Sequence, residues 1–109
     1  MKLVLAIIHD EDAYQVMDLL SEKGFTVTKL ASTGGFLRAG NTTLICGVSE
    51  DKIDEFMDVV EQKCKSRKQL APTTMPSLYG KDVYHPYPLE ITVGGATVFV
   101  VDVEKFKKV

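Results

Sequence analysis

Apolar side chains run almost without interruption through residues 3–8, and a cluster of acidic residues follows directly. A continuous apolar run of this length predicts a central strand that is buried on both faces of a sheet. Apolar residues then recur at helical spacing, which predicts an amphipathic helix with one buried face. We expect Asp10 or Asp12 to cap the first turn of this helix, with Gln15 completing a capping box, and Gly24 to end it.

The middle of the chain predicts two more strands and a second helix. Residues 25–32 and 42–48 are rich in β-branched side chains, as is typical of strands. Residues 49–51 are polar and acidic and stand where the dipole of a following helix favours negative charge. The buried stripe of that second helix is expected to contain Ile53, Phe56, Met57, Val60 and Cys64.

The last part of the chain begins with a segment that has no convincing pattern. Residues 66–87 lack periodicity and are interrupted by prolines, and a loop of this length in a small domain is usually functional. Residues 89–93 and 97–103 then have the composition of strands. Because Gly94 and Gly95 stand between them, we predict that the two strands form a hairpin.

The order of these elements predicts the fold class. A β-α-β-β-α-β order with an extra C-terminal strand is typical of an α+β ferredoxin-like sandwich, in which the helices cover one face of an antiparallel sheet. The opposite face is expected to carry Leu30, Ile45 and Phe99, so we predict oligomerisation through the sheet. The alternative for Phe99, which stands in an apolar strand, is a place in the core.

Composition narrows the class of protein. The 109 residues suffice for one domain, residues 1–109, and the net charge of −2 provides no basic surface for a nucleic-acid polymer. No apolar run approaches the ~20 residues of a membrane span, and residues 3–8 lack the cleavage site of a signal peptide. Cys46 and Cys64 form no CxxC pair, which favours reduced, buried thiols in a cytoplasmic protein; a disulfide between them is the alternative.

Candidate binding chemistry is concentrated in residues 33–43, between the second and third strands. Glycines in this segment let a ligand approach the backbone, whose N–H groups can hold an anion. Arg38 offers positive charge to a phosphate, Phe36 offers a stacking face to a base, and Asn41 offers both a donor and an acceptor. The alternative is a plain hairpin connection, since neither GxGxxG nor a P-loop pattern is present.

Catalytic chemistry has less support. His9 is followed by three acidic residues, an arrangement that fits metal ligation, although acids at this position more often cap a helix. No serine or cysteine stands in the context of a recognisable nucleophile. We therefore predict no enzymatic activity, no metal and no cofactor.

Three segments resemble a known family: residues 30–43 (LASTGGFLRAGNTT), 86–90 (PYPLE) and 93–99 (VGGATVF). They are closely similar to the PstA/DarA-type PII-like proteins, and the likeness covers essentially the whole chain. The resemblance implies a PII-like homotrimer that binds the bacterial second messenger cyclic di-AMP between neighbouring subunits. It also implies a signal-transduction receptor whose loops, residues 33–41 and 66–87, change conformation to regulate an unidentified protein.

The same resemblance implies which residues bind the nucleotide. Gly35, Phe36, Leu37 and Arg38 of the glycine loop (residues 33–41) would frame the ligand. Thr28 would contribute a hydroxyl group, and Phe99 would form an apolar wall against a base. Relatives can carry arginine at position 26 as a phosphate contact, whereas this chain has Thr26. Arg38, or a lysine of the tail such as Lys107 or Lys108, is the candidate to supply the charge instead. The implied ligand-binding residues are Thr26, Thr28, Gly35, Phe36, Leu37, Arg38, Asn41, Gly47 and Phe99.

Two other functions stay open on the sequence. A nitrogen-type PII regulator shares this fold and binds ATP and 2-oxoglutarate, but here the long insertion follows the second helix and the glycine loop is short. A small metal-binding trimeric enzyme would use His9 with the nearby acids. Titration of ATP against cyclic di-AMP separates the first alternative from the receptor, and metal analysis addresses the second.

Overall fold

The computed structural model describes residues 1–30, 40–71 and 89–109. Two helices lie in this part of the chain, α1 (Asp10–Glu22) and α2 (Ile53–Cys64), and a 3-10 turn (Glu50–Lys52) leads into the second. The strands are β1 (Lys2–His9), β2 (Val27–Leu30), β3 (Asn41–Val48), β4 (Arg67–Ala71), β5 (Leu89–Val93) and β6 (Ala96–Asp102).

Four of the strands form an antiparallel sheet in the order β2-β3-β1-β6. In this order, β1 and β3 lie in the middle and the last strand returns to the edge beside β1. With both helices packed on one side, this is the ferredoxin-like α+β arrangement, and the predicted fold class is confirmed.

The core fills the space between the helices and one face of the sheet. Alternate residues of β1 point into it, with Val4, Ala6 and Ile8 each at most 1% exposed. The ring of Phe56 from α2 meets that of Phe25 edge-on, with the ring centroids 5.5 Å apart. The rest of the core is made of Val16, Leu20, Leu44, Cys46, Val48, Val59, Val60 and Cys64, among others.

The predicted buried stripe of α2 is largely confirmed. Phe56, Val60 and Cys64 are buried, whereas Ile53 and Met57 are half-buried. Both cysteines are free thiols inside the core, as the sequence favoured. Among the described residues, no helix is long and apolar enough to cross a membrane.

The C-terminal end of α1 follows the sequence prediction closely. Gly24 has φ +90°, and its N–H donates to the carbonyl of Ser21 at 3.0 Å. The N–H of Phe25 donates to the carbonyl of Leu20 at 3.0 Å. These two bonds define a Schellman motif, which requires the left-handed conformation that glycine adopts without strain.

The N-terminal end of α1 differs from the prediction. The helix begins at Asp10, the preceding His9 occupies the cap position, and there is no capping bond from a side chain. The carboxylate of Asp10 instead accepts a bond from the hydroxyl of Thr42, and that of Asp12 accepts one from Arg67. The predicted capping box is therefore wrong, because both acids are used in contacts with residues that are distant in sequence.

Strands β4 and β5 form a second, two-stranded sheet that we call the ribbon (residues 67–71 and 89–93). The predicted hairpin at Gly94 and Gly95 is wrong, since β5 pairs with β4 while β6 leaves to pair with β1. Strand β4 also corrects the prediction of a loop without secondary structure over residues 66–87, because residues 67–71 pair with β5. Strand pairing between segments this far apart in the sequence leaves no local signal in composition.

The second face of the large sheet is not covered by any described element of the chain. Leu5 pairs with Ile45 on one side and with Phe99 on the other, and Ile45 also pairs with Thr28. Directly opposed residues of paired strands share a face, so this row lies opposite the helices. Phe99 is 52% exposed, which places it on the open face rather than in the core.

Candidate functional site

The open face of the sheet carries most of the predicted ligand-binding residues that the structure describes. Thr28, Asn41, Gly47 and Phe99 all belong to the strand positions that point away from the helices. Thr26 is exposed and stands just before β2. The other predicted residues, Gly35, Phe36, Leu37 and Arg38, lie outside the described part of the chain.

These residues do not meet in one pocket of a single chain. Asn41 and Gly47 are the first and the seventh residues of β3, so they stand ~20 Å apart at ~3.4 Å per residue. Thr28 and Phe99 lie in one row across four strands, which separates them by three strand spacings or ~14 Å. The candidate site is therefore distributed over the corners of the open face.

One corner is built by the end of the glycine loop. The N–H of Asp10 donates to the carbonyl of Gly40 at 2.8 Å. The Thr42 hydroxyl donates to Oδ1 of Asp10 at 2.5 Å. Asn41 stands between these two anchored residues, half-buried and opposite His9. The first turn of α1 thus fixes the backbone on both sides of Asn41.

The opposite corner, near Gly47, carries two lysines. A cleft of about 260 Å³ there is lined by Gly47, Phe25, Lys23 and Lys52, among others. The Nζ atoms of Lys23 and Lys52 lie 3.8 Å and 3.6 Å from the carboxylate oxygens of Glu55, so two cations share one acid. Neither lysine is among the residues that the sequence analysis named.

A second cleft, of about 380 Å³, lies between α2 and β6. Its lining is mainly apolar and includes Met57, Val60, Ala96 and Val98. None of the predicted ligand-binding residues lines it. It therefore stands apart from the candidate site.

Metal ligation by His9 and its acidic neighbours finds no support in the described residues, which contain no group of three or more potential ligands. Asp10 is hydrogen-bonded to Thr42, and Oδ1 of Asp12 accepts a bond of 2.9 Å from Arg67. The acids are thus engaged in holding α1 to its neighbours.

The cysteines are poor nucleophiles in this setting. Burial raises the pKa of the Cys46 thiol, and burial together with the nearby Asp12 raises that of Cys64 to about 11. Because the thiolate is the reactive form, both groups stay protonated and unreactive near neutral pH.

The comparisons with known proteins address the fold and the family of the chain. One solved structure, described as the crystal structure of a functionally unknown protein from Pediococcus pentosaceus ATCC 25745, superposes with a TM-score of 0.76. The two sequences are 34% identical, and the match covers 99% of this chain and 96% of the other. A family model described as cyclic-di-AMP receptor matches residues 1–109. The chain therefore belongs to the cyclic-di-AMP receptor family.

Proposed function

We propose that the protein is a receptor that binds cyclic di-AMP at the interfaces between subunits of a homotrimer and regulates a protein partner through its loops. The observation that carries the proposal is the spread of the predicted site. Residues on the open face stand ~14–20 Å apart, too far for one small ligand to contact all of them on one chain. A neighbouring subunit that supplies the missing contacts resolves this mismatch.

The exposed apolar surface supports an assembly. Leu30, Phe99 and Val101 are 39%, 52% and 45% exposed, and all three point from the open face. A contiguous apolar surface of this kind marks an interaction site in a folded protein. Subunits that meet along this surface cover it and bring one subunit's Asn41 corner near another's Gly47 corner.

The side chains at the two corners suit the phosphodiesters and the adenines of a cyclic dinucleotide. Its phosphodiesters need cations or backbone donors, and its adenines need stacking surfaces and polar edges. Phe99 provides an exposed ring. Gly47 carries no side chain, so a base can approach the strand there once the flexible Met1 side chain, whose Sδ lies 3.7 Å from the position of a Cβ, moves aside. Lys23 and Lys52 border Gly47 and supply the positive charge that Thr26 lacks.

The cellular compartment and the way the receptor signals follow from the same proposal. Buried, free thiols fit the reducing cytoplasm, where an intracellular messenger is encountered. Residues 33–41 and 66–87, which we expect to respond to the ligand, lie mostly outside the described part of the chain. No catalytic step is assigned, since a receptor acts through its bound and free conformations.

Calorimetry on protein of measured mass tests the proposal. We expect a trimer that binds one cyclic di-AMP per subunit, with cyclic di-GMP, ATP and 2-oxoglutarate as controls. A trimer that binds ATP in preference would support the nitrogen-type alternative. A monomeric form of the protein that binds cyclic di-AMP as tightly as a trimeric form would contradict a site at the interface between subunits.

A further inference from the structure

The first turn of α1 is bonded to two parts of the chain that are far apart in sequence. Through Asp10 it holds Gly40 and Thr42, which flank the predicted ligand-binding residue Asn41. Through Asp12 it holds Arg67, the first residue of the ribbon. Two helical positions correspond to ~200° of rotation, so the contacts lie on different sides of one rigid turn.

Arg67 lies at the root of the ribbon, where both of its strands meet the body of the protein. It pairs with Val93 in the ribbon, and its Nη1 donates to the carbonyl of Lys65 at 3.3 Å. A Cβ on Gly94 would stand 2.7 Å from that same Nη1. The N–H of Gly95 donates to the carbonyl of Cys64, the last residue of α2. The guanidinium thus occupies the point from which the ribbon projects.

Arg67 makes only one of the two hydrogen bonds that it could form with the carboxylate of Asp12. The residue Asp12 is 3% exposed, and its Oδ2 has no hydrogen-bond partner among the described residues. A guanidinium fork can bond both oxygens of a carboxylate, but here Nη2 bonds Oδ1 while Nη1 bonds the carbonyl of Lys65. The fork therefore leaves a second bonding arrangement open to Arg67, in which Nη1 gives up the carbonyl of Lys65 and bonds Oδ2 of Asp12.

We propose that the first turn of α1 couples residues 40–42 to the ribbon: a shift of Gly40 and Thr42 is passed through Asp10 and Asp12 to Arg67. The coupling rests on the proposed function in one respect, namely that cyclic di-AMP is the natural cause of the shift. Asp12 and Arg67 are positioning residues in this scheme and touch no ligand. In this scheme the two bonding arrangements of Arg67 are the two-state element that a physical coupling requires.

Amide hydrogen exchange of the ribbon strands, with and without saturating cyclic di-AMP, tests the coupling. In the wild-type protein we expect the ligand to change the exchange rates of residues 67–71 and 89–93 several-fold. In Asp12→Asn we expect the ribbon to stop responding, while the affinity for cyclic di-AMP changes by no more than the several-fold that the coupling itself contributes. The matched control is Glu11→Gln, which removes an exposed carboxylate 3.9 Å from the same guanidinium and should leave the response intact.

A second arm needs no ligand. Thr42→Val keeps the volume of the side chain and removes the bond to Asp10, so it should alter ribbon exchange several-fold in the wild-type background. In the Asp12→Asn background the same substitution should have no further effect, which is the non-additivity of coupled residues. Additive effects, or a ribbon response to ligand that survives Asp12→Asn, would overturn the coupling. Failure of the wild-type protein to bind cyclic di-AMP would overturn the proposed function, and the Thr42→Val arm would still decide the coupling.

Discussion

Replacing Gly94 by alanine is the sharpest test of how the ribbon joins the body of the protein. Gly94 and Gly95 both have positive φ angles, +83° and +88°. An alanine forced into this region costs ~1–2 kcal/mol relative to its preferred conformation. That conformational cost applies to both positions, so it does not distinguish them.

The contacts of the added methyl group do distinguish them. At Gly94 the new Cβ would stand 2.7 Å from the carbonyl oxygen of Lys65 and 3.2 Å from that of Cys64. These are backbone atoms at the end of α2, and they can move only if the root of the ribbon moves with them. At Gly95 the nearest atom, Cβ of Ser66, is 4.0 Å away, which is an ordinary contact.

We therefore expect Gly95→Ala to lower the free energy of unfolding by ~1–2 kcal/mol. Gly94→Ala should add an overpacking cost of ~1–3 kcal/mol, for a total of ~2–5 kcal/mol. Urea denaturation gives both values, with protein concentration held fixed because an oligomer's stability depends on it. Equal shifts of the two midpoints at equal m-values would refute the close approach at Gly94.

Three further predictions concern the site and the core. Phe99→Ala should weaken cyclic di-AMP binding by ~1–3 kcal/mol in calorimetry, because it removes a stacking face; an unchanged affinity would take Phe99 out of the site. Asn41→Ala should lower both the affinity for cyclic di-AMP and the preference over cyclic di-GMP, and retention of both would show that its amide reads no base edge. Cys64 should make the protein less stable at alkaline pH, because its pKa is about 11 in the folded state against an ordinary value of 9.0. The unfolded chain loses this proton first, so the contribution is complete below pH 9 and lost as the pH rises to about 11. The urea midpoint should therefore fall further between pH 8 and pH 10.5 for the wild-type protein than for Cys64→Ala. Equal falls in the two proteins would argue against this contribution of Cys64.

The parts of the fold that were predictable from the sequence are those with local signals. The apolar run of β1, the helical stripe around Phe56 and the glycine that ends α1 all express their structure within a few residues. The alternation of β3 and β6 likewise placed Ile45 and Phe99 on one face. Periodicity of 2 or 3.6 residues suffices for such assignments.

The parts that were missed depend on contacts between distant residues. Asp12 looked like a helix cap because the acids before a helix usually play that role, but Arg67, 55 positions away, takes its carboxylate. Gly94 and Gly95 looked like a hairpin turn, since positive φ angles are typical there as well. In the structure they carry the chain past the end of α2, from β5 in the ribbon to β6 in the large sheet.

The candidate site was predicted as a set of residues but not as an arrangement. The resemblance supplied Thr28, Asn41, Gly47 and Phe99, and strand alternation put them on a common face. Their separation of ~14–20 Å follows only from the strand order and the register. Because of that separation, these residues favour a site shared between subunits over a pocket within one chain.

Isothermal titration calorimetry with cyclic di-AMP, on protein whose mass has been measured by light scattering, tests the central claim most directly. Binding of one cyclic di-AMP per subunit of a trimer, with no binding of cyclic di-GMP or ATP at the same concentrations, is the result that the account predicts. A folded trimer that releases no heat with cyclic di-AMP, and that shows no thermal stabilisation by it, would contradict the account.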